Sequence, residues 1–451
     1  MKFDLKVLKL LKNFKKRRRN SVDNWEIQES FSSKTVKKTH NPHWTLFFAF
    51  SRKKYMSIKK NQDTRVSLED LIAVSNRVGA VIESVRTTML APDARKRPPT
   101  FSTNQVAAIC GLEKSQMDYR VKKGDLPLGQ METGRRRKFS LEDTRTWAQS
   151  TRSKFMRPED AEAITIAVAN FKGGVTKTTT AVTLAQGLSL RGHKVLVIDT
   201  DPQGSMTTLF GLLPDVDVAD EQTILSLCYG SEVSIDYAIT PTYWSGIDIV
   251  PANLALYSAE FALPSRQKSE GSFEFWNVLN NGIDTARTNY DVIILDTSPS
   301  LSYLTINALL ASDGLIMPLP PSTLDFTSSG QFWNLFNDLT ANLVTNRGKT
   351  KSFDFVDVLL ARVDANDASS SVVREWITAG YANMVLPVEI PKTSLTASAS
   401  AEFGTVYDTD PAAINVRTYR RAFDAYERVV ALVEEQIVTG WKRQIGEQHG
   451  A

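Results

Sequence analysis

Residues 171–179 read Phe171-Lys172-Gly173-Gly174-Val175-Thr176-Lys177-Thr178-Thr179. They follow a short apolar run and open a helical pattern, which is the arrangement of a loop that cradles phosphates. In such a loop, backbone N–H groups and a helix N-terminus face the phosphate oxygens. A lysine, here Lys177, reaches those oxygens, and the hydroxyl of Thr178 can ligate Mg²⁺. The stretch therefore predicts ATP or GTP as the ligand.

The loop departs from the common phosphate-loop pattern, because Thr176 stands where glycine usually precedes the lysine. It matches a deviant form, Lys-Gly-Gly-x-x-Lys-Thr, which has an additional lysine at Lys172. Glycine adopts backbone conformations that threonine resists, so the loop geometry depends on the conformation of Thr176.

Two further apolar runs, 195–199 and 292–296, end in aspartates. The carboxyl ends of parallel strands meet at one edge of a sheet, where ligands bind. We therefore expect Asp199, Asp201 and Asp296 to converge beside the phosphate loop and its Mg²⁺. Each aspartate could instead cap the helix that follows its strand.

Short, nearly continuous apolar runs alternate with helical patterns from residue 163 onward. Candidate strands cover 164–170, 195–199, 247–250, 292–296, 314–319, 356–362 and 385–390. This alternation predicts an α/β fold, a mainly parallel sheet with helices on both faces, in which the phosphate loop is the first strand-to-helix turn.

The net charge of +4 is unevenly distributed along the 451 residues. Residues 1–55 contain 15 basic and 4 acidic side chains, residues 95–152 contain 13 and 6, and residues 153–451 contain 21 and 35. The basic charge thus precedes the nucleotide domain, where contact with nucleic acid is expected. The two cysteines have no metal or disulfide spacing and favour a reducing, cytoplasmic location. The apolar stretch 46–50 is too short to cross a bilayer.

Four segments are predicted from these patterns. Residues 1–55 form a basic extension that is expected to be disordered. It is either a DNA-binding arm or translated upstream sequence, because Met56 also suits a protein start. Residues 56–94 contain an amphipathic helix for dimerisation or for packing against the next domain. Residues 95–152 form a DNA-binding domain, and residues 153–451 form the ATPase domain.

Residues 101–150 predict a winged helix-turn-helix. A first helix over 103–109, a turn at Gly111 and a second helix over 114–123 precede a basic wing over 134–139 and a closing helix over 141–147. The side chains expected to contact DNA are Ser115, Gln116, Tyr119, Arg120, Lys122 and Lys123 on the second helix, and Arg135, Arg136, Arg137 and Lys138 on the wing. The alternative is a three-helix protein-interaction module with a solvated charge run.

The loop with its two lysines, the aspartate-terminated strands and the helix-turn-helix together resemble the large ParA plasmid-partition ATPases of the ParA/MinD superfamily. The resemblance covers about residues 65–440. It implies that Lys172 crosses a nucleotide-sandwich dimer to the partner's phosphates, that Asp201 positions or activates the attacking water, and that Asp296 holds Mg²⁺ through water. Pro318 and Pro320 resemble the segment that borders the adenine, although proline also simply ends a strand.

The same resemblance implies an ATP-dependent switch. An ATP-bound homodimer would hold nonspecific nucleoid DNA, and a ParB-like centromere-binding partner would stimulate hydrolysis and release. With ADP, the helix-turn-helix would bind the operator and repress the protein's own operon. Arg417, Arg420 and Arg421 near the start of the C-terminal helix are candidates for phosphate contacts, or else form a solvated helix face.

Two alternatives remain open at this point. One is a DNA-site repressor whose pocket only senses nucleotide. The other is a MinD-like membrane-positioning ATPase, for which the tail offers an apolar stripe that also suits a core-facing helix: Phe423, Tyr426, Val430, Val433, Ile437 and Trp441.

Overall fold

A computed structural model describes residues 66–89, 96–132, 136–392, 404–409 and 415–449. The predicted basic extension 1–55 and Arg135 of the predicted wing lie outside these residues. The chain divides into two compact units, Met1–Val85 and Arg86–Ala451.

The predicted amphipathic helix is confirmed as α1, Leu68–Met89. Ser67 and Asp70 begin it by reciprocal capping, since the Asp70 N–H donates to the Ser67 hydroxyl at 3.1 Å and the Ser67 N–H donates to the Asp70 carboxylate at 2.9 Å. The apolar side chains of Val74, Val78 and Val81 are exposed.

The helices of the predicted helix-turn-helix are confirmed. The elements of this winged module are β1 Phe101–Ser102, α2 Thr103–Cys110, α3 Lys114–Lys123, β2 Gln130–Met131, β3 Arg137–Phe139 and α4 Leu141–Thr151. Gly111 ends α2 with a left-handed φ of 65°, a conformation that glycine adopts without strain. The strands form a small antiparallel sheet in the order β1-β3-β2, and Val106, Met117, Phe139 and Trp147 fill the core.

The predicted α/β sheet is also confirmed. Its strands are β4 Ile164–Val168, β5 Val195–Asp199, β6 Thr240–Pro241, β7 Ile247–Val250, β8 Val292–Asp296, β9 Gly314–Leu319, β10 Phe355–Val363 and β11 Val385–Pro391. Within the described chain they lie in the order β11-β10-β9-β4-β8-β5-β7-β6, and neighbouring strands are parallel except β6 and β7. The short edge strand β6 has no counterpart among the predicted strands.

Helices cover both faces of this sheet. They are α5 Lys177–Leu190, α6 Ser205–Leu209, α7 Leu225–Tyr229, α8 Ala259–Ser269, α9 Val278–Gly282, α10 Asp284–Asn289, α11 Tyr303–Ala311, α12 Thr323–Leu343, α13 Ala368–Tyr381 and α14 Val416–His449. The alternating residues of β4 show why both layers are needed. Ile164 and Ile166 join a core with α5 and α14, whereas Ala167, and Ala163 directly before the strand, join a core with α8, α11 and α12.

The apolar stripe of the tail faces the protein core. Tyr426, Val430, Val433, Ile437 and Trp441 are buried, and α14 packs against α5 and β11. No helix in the described part of the chain is long and apolar enough to span a bilayer. The stripe therefore stabilises the fold by excluding apolar surface from water.

The winged module is held against the C-terminal end of α5 by polar contacts. Arg145 of α4 donates to the carbonyls of Ser189 and His193, both at 3.1 Å, and Gln149 donates to the carbonyl of Gly192 at 2.9 Å. Because α5 begins at the phosphate loop, one helix joins that loop to the winged module.

Candidate functional site

The phosphate loop connects β4 to α5 and contains two residues in the left-handed region. Gly174 has a φ of 74° and Thr176 a φ of 76°. A β-branched residue is strained in that region, and such strain is concentrated at functional sites. Thr176 therefore adopts the conformation that suits the glycine of the common pattern. The loop thus forms with threonine at this position.

The two lysines of the loop have different environments. The Lys177 side chain is buried, and its ammonium donates to the carbonyl of Lys172 at 3.0 Å. Burial lowers the pKa of Lys177, and the carboxylates of Asp296 and Asp201 oppose that shift. The Lys172 N–H donates to Asn170 at 3.0 Å, whereas its half-buried side chain has no hydrogen-bond or ion-pair partner within the described residues. Lys177 thus belongs to the loop itself, and Lys172 has an ammonium available for another group.

Asp296 is a fully buried carboxylate at the carboxyl end of β8. It pairs in register with Asp199 at the carboxyl ends of β8 and β5, and neither of its oxygens has a partner among the described residues. Burial, and then the neighbouring Asp199, raise its pKa well above the ordinary value, while the Thr178 hydroxyl and Lys177 oppose the shift. Buried charges are normally paired or bound to a metal. A hard cation that takes carboxylate and hydroxyl oxygens, such as Mg²⁺, fits Asp296 and Thr178.

Asp199 is fully buried, but its oxygens are already used. One accepts hydrogen bonds from the Thr207 N–H at 2.9 Å and the Thr207 hydroxyl at 2.8 Å, and the other accepts one from the Asp201 N–H at 3.1 Å. Burial raises its pKa to about 7 against these hydrogen bonds. The contacts favour the capping alternative, in which Asp199 fixes the segment 201–207, over direct ligation of Mg²⁺.

Asp201 lines the cleft beside the phosphate loop. Its carboxylate accepts a hydrogen bond from the Gln203 N–H at 3.0 Å, and its carbonyl accepts one from Gly204 at 2.9 Å. The side chain is therefore oriented by its own turn and remains half-buried at the cleft wall.

The cleft has a volume of about 680 Å³. The predicted residues that line it are Gly173, Gly174, Thr176, Lys177, Thr178, Thr179 and Asp201. Val175, within the loop, is buried, and Lys172 does not line the cleft. Pro318 and Pro320 are buried and do not line the cleft. The Pro318 carbonyl accepts a hydrogen bond from the Asn170 side chain at 2.9 Å.

Several residues that were not among the predicted site residues also line the cleft, including Arg362, Lys392 and Tyr426. Arg362 donates to the Gly174 carbonyl at 2.8 Å. Arg362 looked like an ordinary strand end and Tyr426 like one position of an apolar stripe. Only the order of strands, which places the ends of β10 and β11 near the loop, could have identified Arg362 and Lys392, whereas the position of Tyr426 depends on the packing of α14 against α5.

Several predicted DNA contacts on the winged module already have intramolecular partners. Gln116 accepts from the Glu113 N–H at 2.8 Å, Arg120 donates to Ser150 at 3.4 Å, Lys123 pairs with Asp125 at 2.8 Å, and Lys138 pairs with Glu132 at 2.9 Å. Arg137 donates to the carbonyl of Leu128. Ser115, Tyr119, Lys122 and Arg136 are exposed.

The predicted tail arginines are exposed at the start of α14: Arg417, Arg420 and Arg421. Arg421 also lines a second cleft of about 770 Å³, together with Arg374 and Arg428. This second cleft adjoins the one beside the phosphate loop, since Pro391 lines both, whereas Arg417 and Arg420 line neither.

Comparison with known proteins agrees with this arrangement. The family described as an AAA domain matches residues 163–347. Protein SopA of Escherichia coli K12 is 32% identical over 361 residues, covering 77% of this chain and 91% of SopA. A putative replication protein A of Sinorhizobium fredii is 30% identical over 366 residues, covering 78% of this chain and 90% of that protein.

A solved structure described as a partition protein has the same fold. Its TM-score is 0.57 at 19% identity, and the match covers 82% of this chain and 98% of that one. Together with the sequence relatives, the deviant phosphate loop and the parallel sheet place this chain in the family of ParA-type plasmid-partition ATPases of the ParA/MinD superfamily.

Proposed function

We propose that this protein is a Mg²⁺-dependent ATPase that partitions a plasmid or chromosome with a ParB-like partner. The observation that carries this proposal is the carboxylate of Asp296, which is buried beside Lys177 and Thr178 and forms no ion pair within hydrogen-bonding distance in the described part of the chain. A site that concentrates negative charge next to a phosphate loop suits a divalent cation with a polyphosphate.

Each residue has a proposed role in this reaction. Lys177 and the loop N–H groups bind the phosphates, and Thr178 and Asp296 would hold Mg²⁺, which supplies charge neutralisation when bound. Asp201 orients the attacking water from the cleft wall. Asp199 supports Asp201, because the Asp199 carboxylate accepts a hydrogen bond from the Asp201 backbone N–H. Pro318 and Pro320 remain candidates for the adenine side.

Substitution of Asp296 tests the proposed cation site. Asp296→Asn should abolish the dependence of ATP affinity on Mg²⁺, measured by calorimetric titration with and without the ion. Asp313→Asn is the matched control, because that carboxylate is mostly buried at the opposite end of β4, where it accepts from the Thr165 N–H at 2.8 Å. Equal Mg²⁺ dependence in Asp296→Asn and the parent would refute the assignment.

The two lysines support a homodimer that forms only with ATP. Lys177 points back into its own loop, whereas the Lys172 ammonium has no partner within the described chain and suits the phosphates of a second subunit. The γ-phosphate then supplies the contact that differs between the ATP and ADP states. The exposed apolar side chains of α1 offer a further contact between the two subunits of that ATP-bound dimer.

DNA is the proposed macromolecular ligand at two surfaces. Exposed Ser115, Tyr119, Lys122 and Arg136 suit an operator contact by the winged module, and the tail arginines suit sequence-independent phosphate contacts. Removing the charges of Arg417, Arg420 and Arg421 should weaken ATP-dependent DNA binding while leaving ATP affinity intact. Unaltered DNA binding would show that these three arginines do not form a DNA-binding surface.

The alternative function is a DNA-site repressor that senses nucleotide without turning it over, and the winged module favours it. Phosphate release should be measured for the protein alone, with DNA, with the product of the adjacent downstream gene, and with both. A partition ATPase is expected to show synergistic stimulation by DNA and partner. Undetectable turnover in every mixture would favour the repressor.

A further inference from the structure

Arg362 occupies a strained position at the end of β10. Its φ of 54° lies in the left-handed region, where an arginine is rare. The register between β10 and β11 also shifts here, since Leu360 pairs with Glu389 and Val363 pairs with Pro391. Three steps on β10 thus match two on β11, as in a β-bulge. Bulges next to active sites redirect a side chain.

The bulge directs Arg362 to the phosphate loop. Its guanidinium donates to the carbonyl of Gly174 at 2.8 Å, and the residue lines the 680 Å³ cleft together with Lys177 and Asp201. A guanidinium has five N–H donors in a planar fork that matches phosphate oxygens. Since the side chain is exposed and makes one hydrogen bond within the described residues, most of its donors remain available.

The other cations of the cleft are compensated by carboxylates. Lys177 interacts with Asp296 and Asp201, and Lys392 forms an ion pair with Asp364 at 3.5 Å. Arg362 instead has a neutral carbonyl as its partner, and no carboxylate pairs with it in the described chain. An uncompensated guanidinium held against a phosphate loop by a strained backbone is the arrangement expected of a residue that waits for an anion.

We propose that Arg362 is a nucleotide-binding residue, which fixes the phosphate loop through Gly174 and donates to the phosphate oxygens of the bound nucleotide. The inference rests on the proposed nucleotide site. It explains why a strained arginine, and not glycine, occupies this position near the end of β10, because the energetic cost of the backbone is offset when the ligand binds.

Two substitutions separate this role from a purely structural one. Arg362→Gly removes the guanidinium and also relieves the backbone strain, whereas Arg362→Ala removes the guanidinium and keeps the strain. Both variants should bind ADP with Mg²⁺ about 10-fold to 100-fold more weakly than the parent in calorimetric titrations, which is the range for a lost charge-assisted hydrogen bond. Without nucleotide, Arg362→Gly should unfold in urea at a midpoint no lower than that of the parent.

Arg374→Ala is the matched control, because Arg374 lies in the second cleft and pairs with Glu389. It should bind ADP as the parent does. The proposal is overturned if Arg362→Gly and Arg362→Ala bind ADP within twofold of the parent, and a loss confined to urea stability would identify a structural residue. If the parent chain bound no ADP or ATP at all, the proposed function would fail together with this inference.

Discussion

Thr176 shows how a single residue decides the geometry of the phosphate loop. Its φ of 76° is the conformation that favours glycine, and threonine holds it at the N-cap position, directly before α5 begins at Lys177. The sequence identified this position as the unusual one, but not how the backbone would adapt. The residue types identify the loop in the sequence. The backbone strain at Thr176 becomes visible only in the folded conformation of the loop.

Replacing Thr176 with glycine should stabilise the protein without nucleotide. Relief of the left-handed strain outweighs the entropy of a new glycine, so we expect a gain of about 1 kcal/mol in the free energy of unfolding. Urea denaturation measures it. Thr179→Gly, inside the first turn of α5, should instead be destabilising. A Thr176→Gly variant that is less stable than the parent would show that the hydroxyl or methyl group contributes more than the strain.

Among the secondary-structure elements, β10 and α14 meet at a buried carboxylate, Asp357. Asp357 accepts from Gln436 at 3.0 Å, but its other oxygen and the Gln436 side-chain oxygen are buried without partners in the described chain. Burial raises the pKa of Asp357 to about 6 against that hydrogen bond. The folded protein therefore binds a proton more tightly here than the unfolded chain. The stabilisation by this proton is complete below about pH 4 and is lost as the pH rises through about 6.

Asp357→Asn should raise the free energy of unfolding by about 2 kcal/mol at pH 8, since the variant removes the buried charge and offers an N–H to Gln436. The gain should shrink at pH 4.5, where the parent carboxyl is protonated. Urea denaturation at both pH values tests this, with exposed Asp338→Asn as control. A gain that does not change with pH would rule out titration of Asp357 as the cause.

The elements themselves were largely predictable. The bounds of α3, β5, β7, β8 and β9 match the predicted ones because capping residues, glycines and apolar runs mark them locally. The edge strand β6 was missed, since two residues carry no periodic signal. The bulge that redirects Arg362 was missed for a different reason, because a register shift is a property of two strands together.

At the scale of the whole molecule, the winged module and the α/β sheet share a buried ionic cluster. Glu434 of α14 accepts from Arg152 at 2.5 Å, from Arg191 at 3.0 Å, and lies 2.9 Å from His193. Burial alone would raise the pKa of Glu434, but His193, Arg152 and Arg191 together lower it to about 2. The four groups come from three separate segments of sequence, so no local pattern predicted their meeting.

Glu434→Gln should lower the free energy of unfolding by about 3 kcal/mol at pH 7, because it leaves the buried guanidinium of Arg152 without a counter-ion among the described residues and leaves Arg191 with Glu427 alone. The stabilisation by ionised Glu434 is complete above about pH 4.5 and is lost as the pH falls toward 2. The difference in unfolding free energy between the variant and the parent should therefore be smaller at about pH 3. Glu435→Gln, at the exposed neighbouring position, is the control. A loss no larger than that of the control would show that the cluster does not join the two parts.

The division of roles between Lys172 and Lys177 is the central claim, and sedimentation velocity tests it most directly. The parent should be a dimer with a non-hydrolysable ATP analogue and Mg²⁺, and should lose that association with ADP. Lys172→Ala should still bind the analogue but fail to associate, whereas Lys177→Ala should lose binding, and exposed Lys268→Ala should behave as the parent. Association of Lys172→Ala with the analogue as full as that of the parent would contradict this division of roles.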